Sequence, residues 1–189
     1  MTLADETSVG FDAAEYEARS RAQARELDPD ADLAAMTVAF KLILASNHLL
    51  RRLESGVHRP AGISWGGFQL MWTIRAYGRL RPHHLSKLAA VSPATVTSVL
   101  NTLERDGLVV RHRGCETDGR AVIVELTPAG DALLAEVWRE QHRREVEWAA
   151  ALTEDEQRSL TALLRKLFAG RTEMRATHGS PLTGFSLED

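Results

Sequence analysis

The chain has 189 residues, 44% of them apolar, which suffices for the core of one domain or two small ones and makes a soluble globular protein the expectation. Its single cysteine, Cys115, excludes an intrachain disulfide and a cysteine-rich zinc site. No unbroken apolar run reaches about eighteen residues and the N-terminus is acidic, so neither a membrane span nor a secretory leader is expected, and the expected compartment is the cytoplasm. The net charge of −3 is unevenly spread: residues 75–120 hold eight Lys/Arg against four Asp/Glu, a local +4 that leaves −7 elsewhere. His83, His84 and His112 fall in this basic stretch and add partial charge below neutral pH. One basic face on an acidic body suits a protein that meets a polyanion from one side.

Residues 1–10 show no periodicity and are expected to be loose, and 11–27, rich in Ala, Glu and Arg, read as a short helix. After "DPDAD", with Pro29 suited to a first helical turn, a long helix over about 30–57 carries Leu33, Met36, Phe40, Ile43, Leu44, Leu50 and Leu53 on a wide apolar face that needs partners. "GVHRPAGI" ends it. Ser64 then caps a helix over about 65–78 with Phe68, Met71, Trp72 and Ile74 inward. Gly66 and Gly67 in its first turn leave two readings open: a loosely wound start, or close approach of backbone or ligand.

Pro82 opens a short helix with Leu85, Leu88 and Ala89 on one face. "VSP" is a turn in which Ser92 caps the next helix and Pro93 takes its first position. That helix ends at Gly107, a candidate left-handed cap. Two short amphipathic helices joined by a tight turn make a helix-turn-helix candidate. "LVVRHRGC" and "AVIVELT" flank an Asp-Gly turn and predict a hairpin, with Val122, Val124 and Leu126 on one face. Thr127 caps a long helix. A Thr153–Glu156 capping box starts a last helix over about 154–169, with apolar Leu160, Leu163, Leu164, Leu167 and Phe168.

Reading base edges calls for a slim helix that presents short polar side chains to the major groove. The helix after Ser92 has Val96, Leu100 and Leu103 inward and Ala94, Thr95, Thr97, Ser98, Asn101 and Arg105 available outward. Asn101 is the first specificity candidate, since an asparagine can bind adenine through two hydrogen bonds. A solvated face would look the same, but the hairpin that follows completes a recurrent nucleic-acid module. Arg120 at its tip can enter the minor groove, with Asp118 holding the guanidinium and Gly119 allowing the turn. Arg111 and Arg113 share one face of the first strand and are candidates for phosphate contacts.

"LSKLAAVSPATVTSVLNTLERDGLVVRHRGCETDGRAVIVELTPAG" (85–130) resembles the MarR family of winged-helix transcription regulators, and the helical flanks extend the likeness to about 30–170. The implied fold is mainly α with a small β-wing: a winged helix-turn-helix domain flanked by N- and C-terminal dimerisation helices. The implied recognition helix is 93–105, with Asp118 and Arg120 at the wing tip. The implied function is that of a homodimeric DNA-binding repressor on a pseudo-palindromic operator, released by a small-molecule effector. The expected organisation is an extension at 1–29, a dimerisation region from 30–62 and 128–170, the DNA-binding domain at 63–127, and a flexible tail at 171–189. The excess apolar helical surface supports the dimer independently, and two-fold symmetry sets the recognition helices about 34–36 Å apart.

The release signal is less defined. The chain has the extra N-terminal helix of the family's urate-responsive branch but lacks its tryptophan, and carries Gln69 and Val99 where that branch has an acid and an arginine. His48, Trp65, Phe68 and Trp72 can line a cleft for another small aromatic or amphipathic ligand, or form ordinary core. Cys115 on the wing departs from the family's N-terminal sensor cysteines. It is either inert or a redox switch tuned by Arg113 and His112. A cysteine hydrolase built on Cys115 and His112 lacks an orienting group and an oxyanion site, so no enzyme is expected. A winged helix used for protein contact is the remaining alternative. Adjacent His83 and His84 point about 100° apart on a helix, and neither a metal nor any cofactor is expected.

Overall fold

A computed structural model describes residues 13–113 and 122–177. The chain divides into two compact units, one ending at Leu134 and one beginning at Ala135.

In the first unit, α1 (Ala13–Leu27) lies on α2 (Leu33–Leu53). Tyr16 stacks on Phe40 with ring centroids 5.1 Å apart, Arg21 donates to the Thr37 hydroxyl at 3.0 Å, and Lys41 pairs with Glu17 at 2.6 Å. Pro29 sits in the turn before α2 rather than in its first helical turn. The cap is Asp32, whose carboxylate accepts from the amides of Ala34 and Ala35. The helix continues through one π-helical turn, Glu54–His58, and ends within a residue of the expected 57. Leu33–His58 has a mean hydropathy of 1.5, and by length and composition alone could cross a membrane. Here the apolar side chains Val38, Leu42 and Ile43 lie at the surface, 55%, 41% and 56% exposed.

α3 (Trp65–Tyr77) is buried on most sides: Phe68, Leu70, Met71 and Ile74 have at most 3% exposure. Trp72 departs from its expected inward position and is 40% exposed, because burial of Leu70 and Thr73 turns position 72 outward. The start of α3 is regularly wound, with the Ser64 hydroxyl accepting from Gly67 N–H at 3.0 Å. A Cβ at Gly66 or Gly67 would meet Val99 at 3.6 Å or Leu103 at 3.5 Å, so both glycines lie against α5 (Pro93–Arg105) at ordinary contact distance.

α4 (Pro82–Leu88) buries Leu85 and the adjoining Ala89, whereas Leu88, expected on the same face, is 44% exposed. The turn from α4 to α5 is fastened from two sides: Gln69 of α3 donates to the Ala89 carbonyl at 2.9 Å and Ser86 to the Val91 carbonyl at 2.8 Å. Ala90 holds φ +53 in this turn. A left-handed conformation costs an L-residue about 1–2 kcal/mol. Ala90→Gly is therefore expected to raise the unfolding free energy by about 0.5–1 kcal/mol after the larger chain entropy of glycine is offset. Urea denaturation followed by circular dichroism would measure it.

β1 (Val109–Arg113) and β2 (Val122–Leu126) form the antiparallel hairpin, with Val109 opposite Leu126, Arg111 opposite Val124 and Arg113 opposite Val122. Leu80, between α3 and α4, exchanges both backbone hydrogen bonds with Val124, at 3.1 and 2.8 Å, and flanks β2 on its other edge. Gly107 takes the expected left-handed conformation, φ +71. Thr127 ties its carbonyl to the start of α6 (Pro128–Ala149), donating to Gly107 O at 2.7 Å and accepting from Gly130 N–H at 3.0 Å.

In the second unit, α6 ends in a turn and the expected capping box opens α7 (Glu154–Thr177): Thr153 N–H donates to the Glu156 carboxylate at 2.7 Å and Glu156 N–H to the Thr153 hydroxyl at 3.4 Å. α7 extends past 169, so 171–177 of the expected flexible tail are helical. Leu160, Leu163, Leu167 and Phe168 are 40–63% exposed. On α6, hydrogen bonds from Arg143 and Arg144 pull the Glu140 carboxyl down to about 2. A depressed carboxyl stabilises the fold above its ordinary range, and that contribution disappears as pH falls from about 4.5 through 2.

Candidate nucleic-acid interface

α5 is a rigid rod. Its apolar edge, Val96, Leu100 and Leu103, is 1–2% exposed, and Ser92 closes its N-terminus by accepting from Thr95 N–H at 3.1 Å. Such a cap is worth about 1 kcal/mol. The opposite surface exposes Ala94, Thr95, Thr97, Ser98, Asn101 and Arg105 together, as the spacing predicts. Ser92 and Thr95 share a hydroxyl–hydroxyl bond of 2.8 Å, and Thr97 donates back to the Pro93 carbonyl at 2.9 Å, so these hydroxyls are already oriented. Arg105 pairs with Asp106 at 3.0 Å.

Arg111 is placed otherwise than expected. Facing Val124 across the hairpin, it lies on the side turned towards α5, three-quarters buried, rather than reaching out for phosphate. One guanidinium nitrogen donates to Asn101 Oδ1 at 2.8 Å and another pairs with Glu104 at 3.2 Å. Glu104 went unmarked in the sequence because strand register, not helix spacing, brings it to Arg111. The Arg113 side chain, Cys115, Asp118, Gly119 and Arg120 lie outside the described residues.

Basic side chains flank this surface. Arg79, Arg81, His83, His84 and Lys87 are all exposed on or before α4. The His83 and His84 rings lie 4.0 Å apart. Desolvation, then the positive charges of His84, Lys87 and Arg81, lowers the His83 imidazole below 6.5, so it titrates later on acidification than its sequence position implies. At the root of the hairpin Arg79 donates to Glu125 at 2.9 Å and His112 lies 3.1 Å from the same oxygen. The Arg79 hydrogen bond is the main cause holding that carboxyl below its usual value. Among the described residues no group of three or more His, Cys, Asp or Glu is placed to hold a metal.

The four candidate effector residues separate. Trp65, Phe68 and Trp72 form a ladder with centroids 5.8 and 6.1 Å apart, continued by fully buried His58 at 5.1 Å from Phe68, while His48 is exposed on α2 away from these ring contacts. Phe68 is core. Trp65 alone of the four lines a cavity of about 500 Å³, together with Leu50, Arg51, Glu54, Ser55 and Arg59. Glu54 also accepts from Trp65 N–H at 2.6 Å and lies 3.6 Å from His58 Nδ1. The Glu54/His58 spacing was a helix-face signal available in the sequence.

A capped helix-turn-helix with a hairpin behind it defines a winged-helix DNA-binding protein. Residues 63–122 match the MarR family. The chain is 31% identical over 137 residues to the HTH-type transcriptional regulator YwaE of Bacillus subtilis, covering 72% of this chain and 79% of that one. It is 34% identical over 97 residues to the HTH-type transcriptional repressor YetL of the same organism, covering 50% and 55%. Among solved structures it is similar to a cysteine-to-serine variant of E. coli MarR in complex with operator DNA, with a TM-score of 0.63 and 25% identity over 76% of this chain and 96% of that one. The chain belongs to the MarR family: it is a DNA-binding transcriptional regulator and not an enzyme.

Proposed function

We propose that the protein is a homodimeric cytoplasmic repressor that occupies a pseudo-palindromic operator and leaves it on binding a small molecule. The observation that carries the reading is the exposed row Ala94, Thr95, Thr97, Ser98 and Asn101 on a helix whose other edge is wholly buried. Ser92, Thr95, Thr97, Ser98, Asn101 and Arg105 face the duplex, with Arg113 and the Asp118/Arg120 wing tip reaching its backbone and minor groove. The exposed apolar residues of α2 and α7 support a second copy as the covering partner, since surface patches of this kind mark interfaces. Repression agrees with the name of the YetL relative. The cavity beside Trp65, with Arg51 and Arg59 at its wall, suits a small aromatic or amphipathic effector.

Selection of bound fragments from random duplexes is expected to yield an inverted repeat with half-sites about 10 base pairs apart, and log affinity should fall steeply with log salt. Arg120→Ala should weaken binding across sequences. Failure to enrich any duplex at low salt would remove the reading.

A further inference from the structure

We infer that the side chains of His83 and His84 make a proton-linked contact with the phosphodiester backbone, so that the protein takes up protons as it binds a duplex and binds more tightly as the pH falls. The inference rests on α5 as the helix that enters the major groove, because the first helix of a helix-turn-helix, here α4, then crosses the backbone. Both imidazoles are exposed on α4 with their rings 4.0 Å apart, and Lys87 is exposed one turn beyond His83. The charges that bear on His83 are all positive: His84, Lys87 and Arg81. The elements packed against α4 are α5, α3 and β2, and their charged side chains are already engaged. On α5 these are Glu104 and Arg105, in its last turn, paired with Arg111 and Asp106. On α3 the charged residue is Arg75, paired with Asp131, and on β2 it is Glu125, which holds Arg79 and His112. Among the described residues, no carboxylate answers the two imidazoles.

In the free protein, charging both rings sets like charges side by side. A duplex reverses that balance. It carries one negative charge per about 1.7 Å of axis, and a phosphate beside an imidazole favours the charged form. A group that holds its proton more tightly in the complex adds affinity in full below its free value, and the gain is lost as pH rises through its bound value. For His83 the free value lies below 6.5, so the gain grows as the pH falls towards and below neutrality.

Fluorescence anisotropy of a labelled duplex taken from the random selection, followed from about pH 7.5 to about 5.5 at constant ionic strength, tests this. Each half-unit by which binding raises an imidazole is worth up to about threefold, so the pair should raise affinity roughly tenfold across that range. His83→Gln combined with His84→Gln, at exposed positions where glutamine can still donate to a phosphate, should lose most of the rise. His112→Gln should keep it. His83→Lys combined with His84→Lys, charged throughout, should bind at the upper pH at least as tightly as the wild type at the lower, with a nearly flat profile. Independently of any variant, calorimetry in two buffers of different ionisation enthalpy, at a pH near the ordinary histidine value, should register proton uptake when the wild type binds the duplex. The inference is overturned if the wild type takes up no protons, if the glutamine pair keeps the rise, or if His112→Gln abolishes it. A wild type that binds no duplex at any pH and low salt removes the regulator reading itself, a result distinct from these.

Discussion

Gly130→Ala is expected to destabilise the protein by about 3 kcal/mol, near the upper end of the usual cost of overpacking. A Cβ at this position would strike the Leu108 carbonyl, with the carbonyl carbon 2.9 Å and the Leu108 Cα 3.2 Å away. Both partners are backbone, so no rotamer change relieves the contact. The Leu108 carbonyl is also fixed from the other side, accepting from Thr127 N–H at 3.1 Å, and Leu108 is buried at the mouth of β1. The glycine thus lets the first turn of α6 seat on the strand that leaves α5, while an ion pair between Arg75 of α3 and Asp131 braces the same turn. Thermal unfolding should show a large fall in Tm for Gly130→Ala and a small one for Gly66→Ala, where the added methyl meets only ordinary contacts. Equal shifts in the two variants would refute the steric account.

The second large effect concerns assembly. Placing a charge in the exposed apolar rows, Ile43→Glu on α2 combined with Leu163→Glu on α7, is expected to convert the proposed dimer into monomers at micromolar concentration in sedimentation analysis. Burying an unpaired carboxylate costs several kcal/mol. The double variant carries two such charges per copy, and a two-fold axis doubles them to four per dimer. Operator affinity should fall with the dimer, because two half-sites can no longer be engaged by one particle. A double variant that stays dimeric would show that these faces have another role.

The helix-turn-helix was legible because its signals are local. Ser92, Pro93 and Gly107 mark the ends of α5 through cap and φ requirements met within a few residues, and the burial of Val96, Leu100 and Leu103 follows from spacing alone. The Thr153–Glu156 box was legible for the same reason. The seating of Arg111 against α5 was not legible, because alternation fixes which residues share a face but not which face turns to the helix. Only the pairing of Arg111 with Val124, itself fully buried, decides that. Leu88 and Trp72 were expected inward because they are apolar. The helices carrying them have fewer inward places than apolar residues, and those places went to Leu85, Leu70 and Met71. The π-helical turn at Glu54–His58 has no pattern that distinguishes it from a helix end rich in Gly and Pro.

The Leu80–Val124 exchange has a consequence for how sequence drift can act on this protein. It uses main-chain atoms alone, so position 80 tolerates many side chains and resists chiefly proline, which would delete the N–H that Val124 requires. At Val124, β2 is therefore held along both edges, by β1 and by Leu80, through atoms that every other amino acid supplies. Substitution further out along the hairpin leaves that mooring in place.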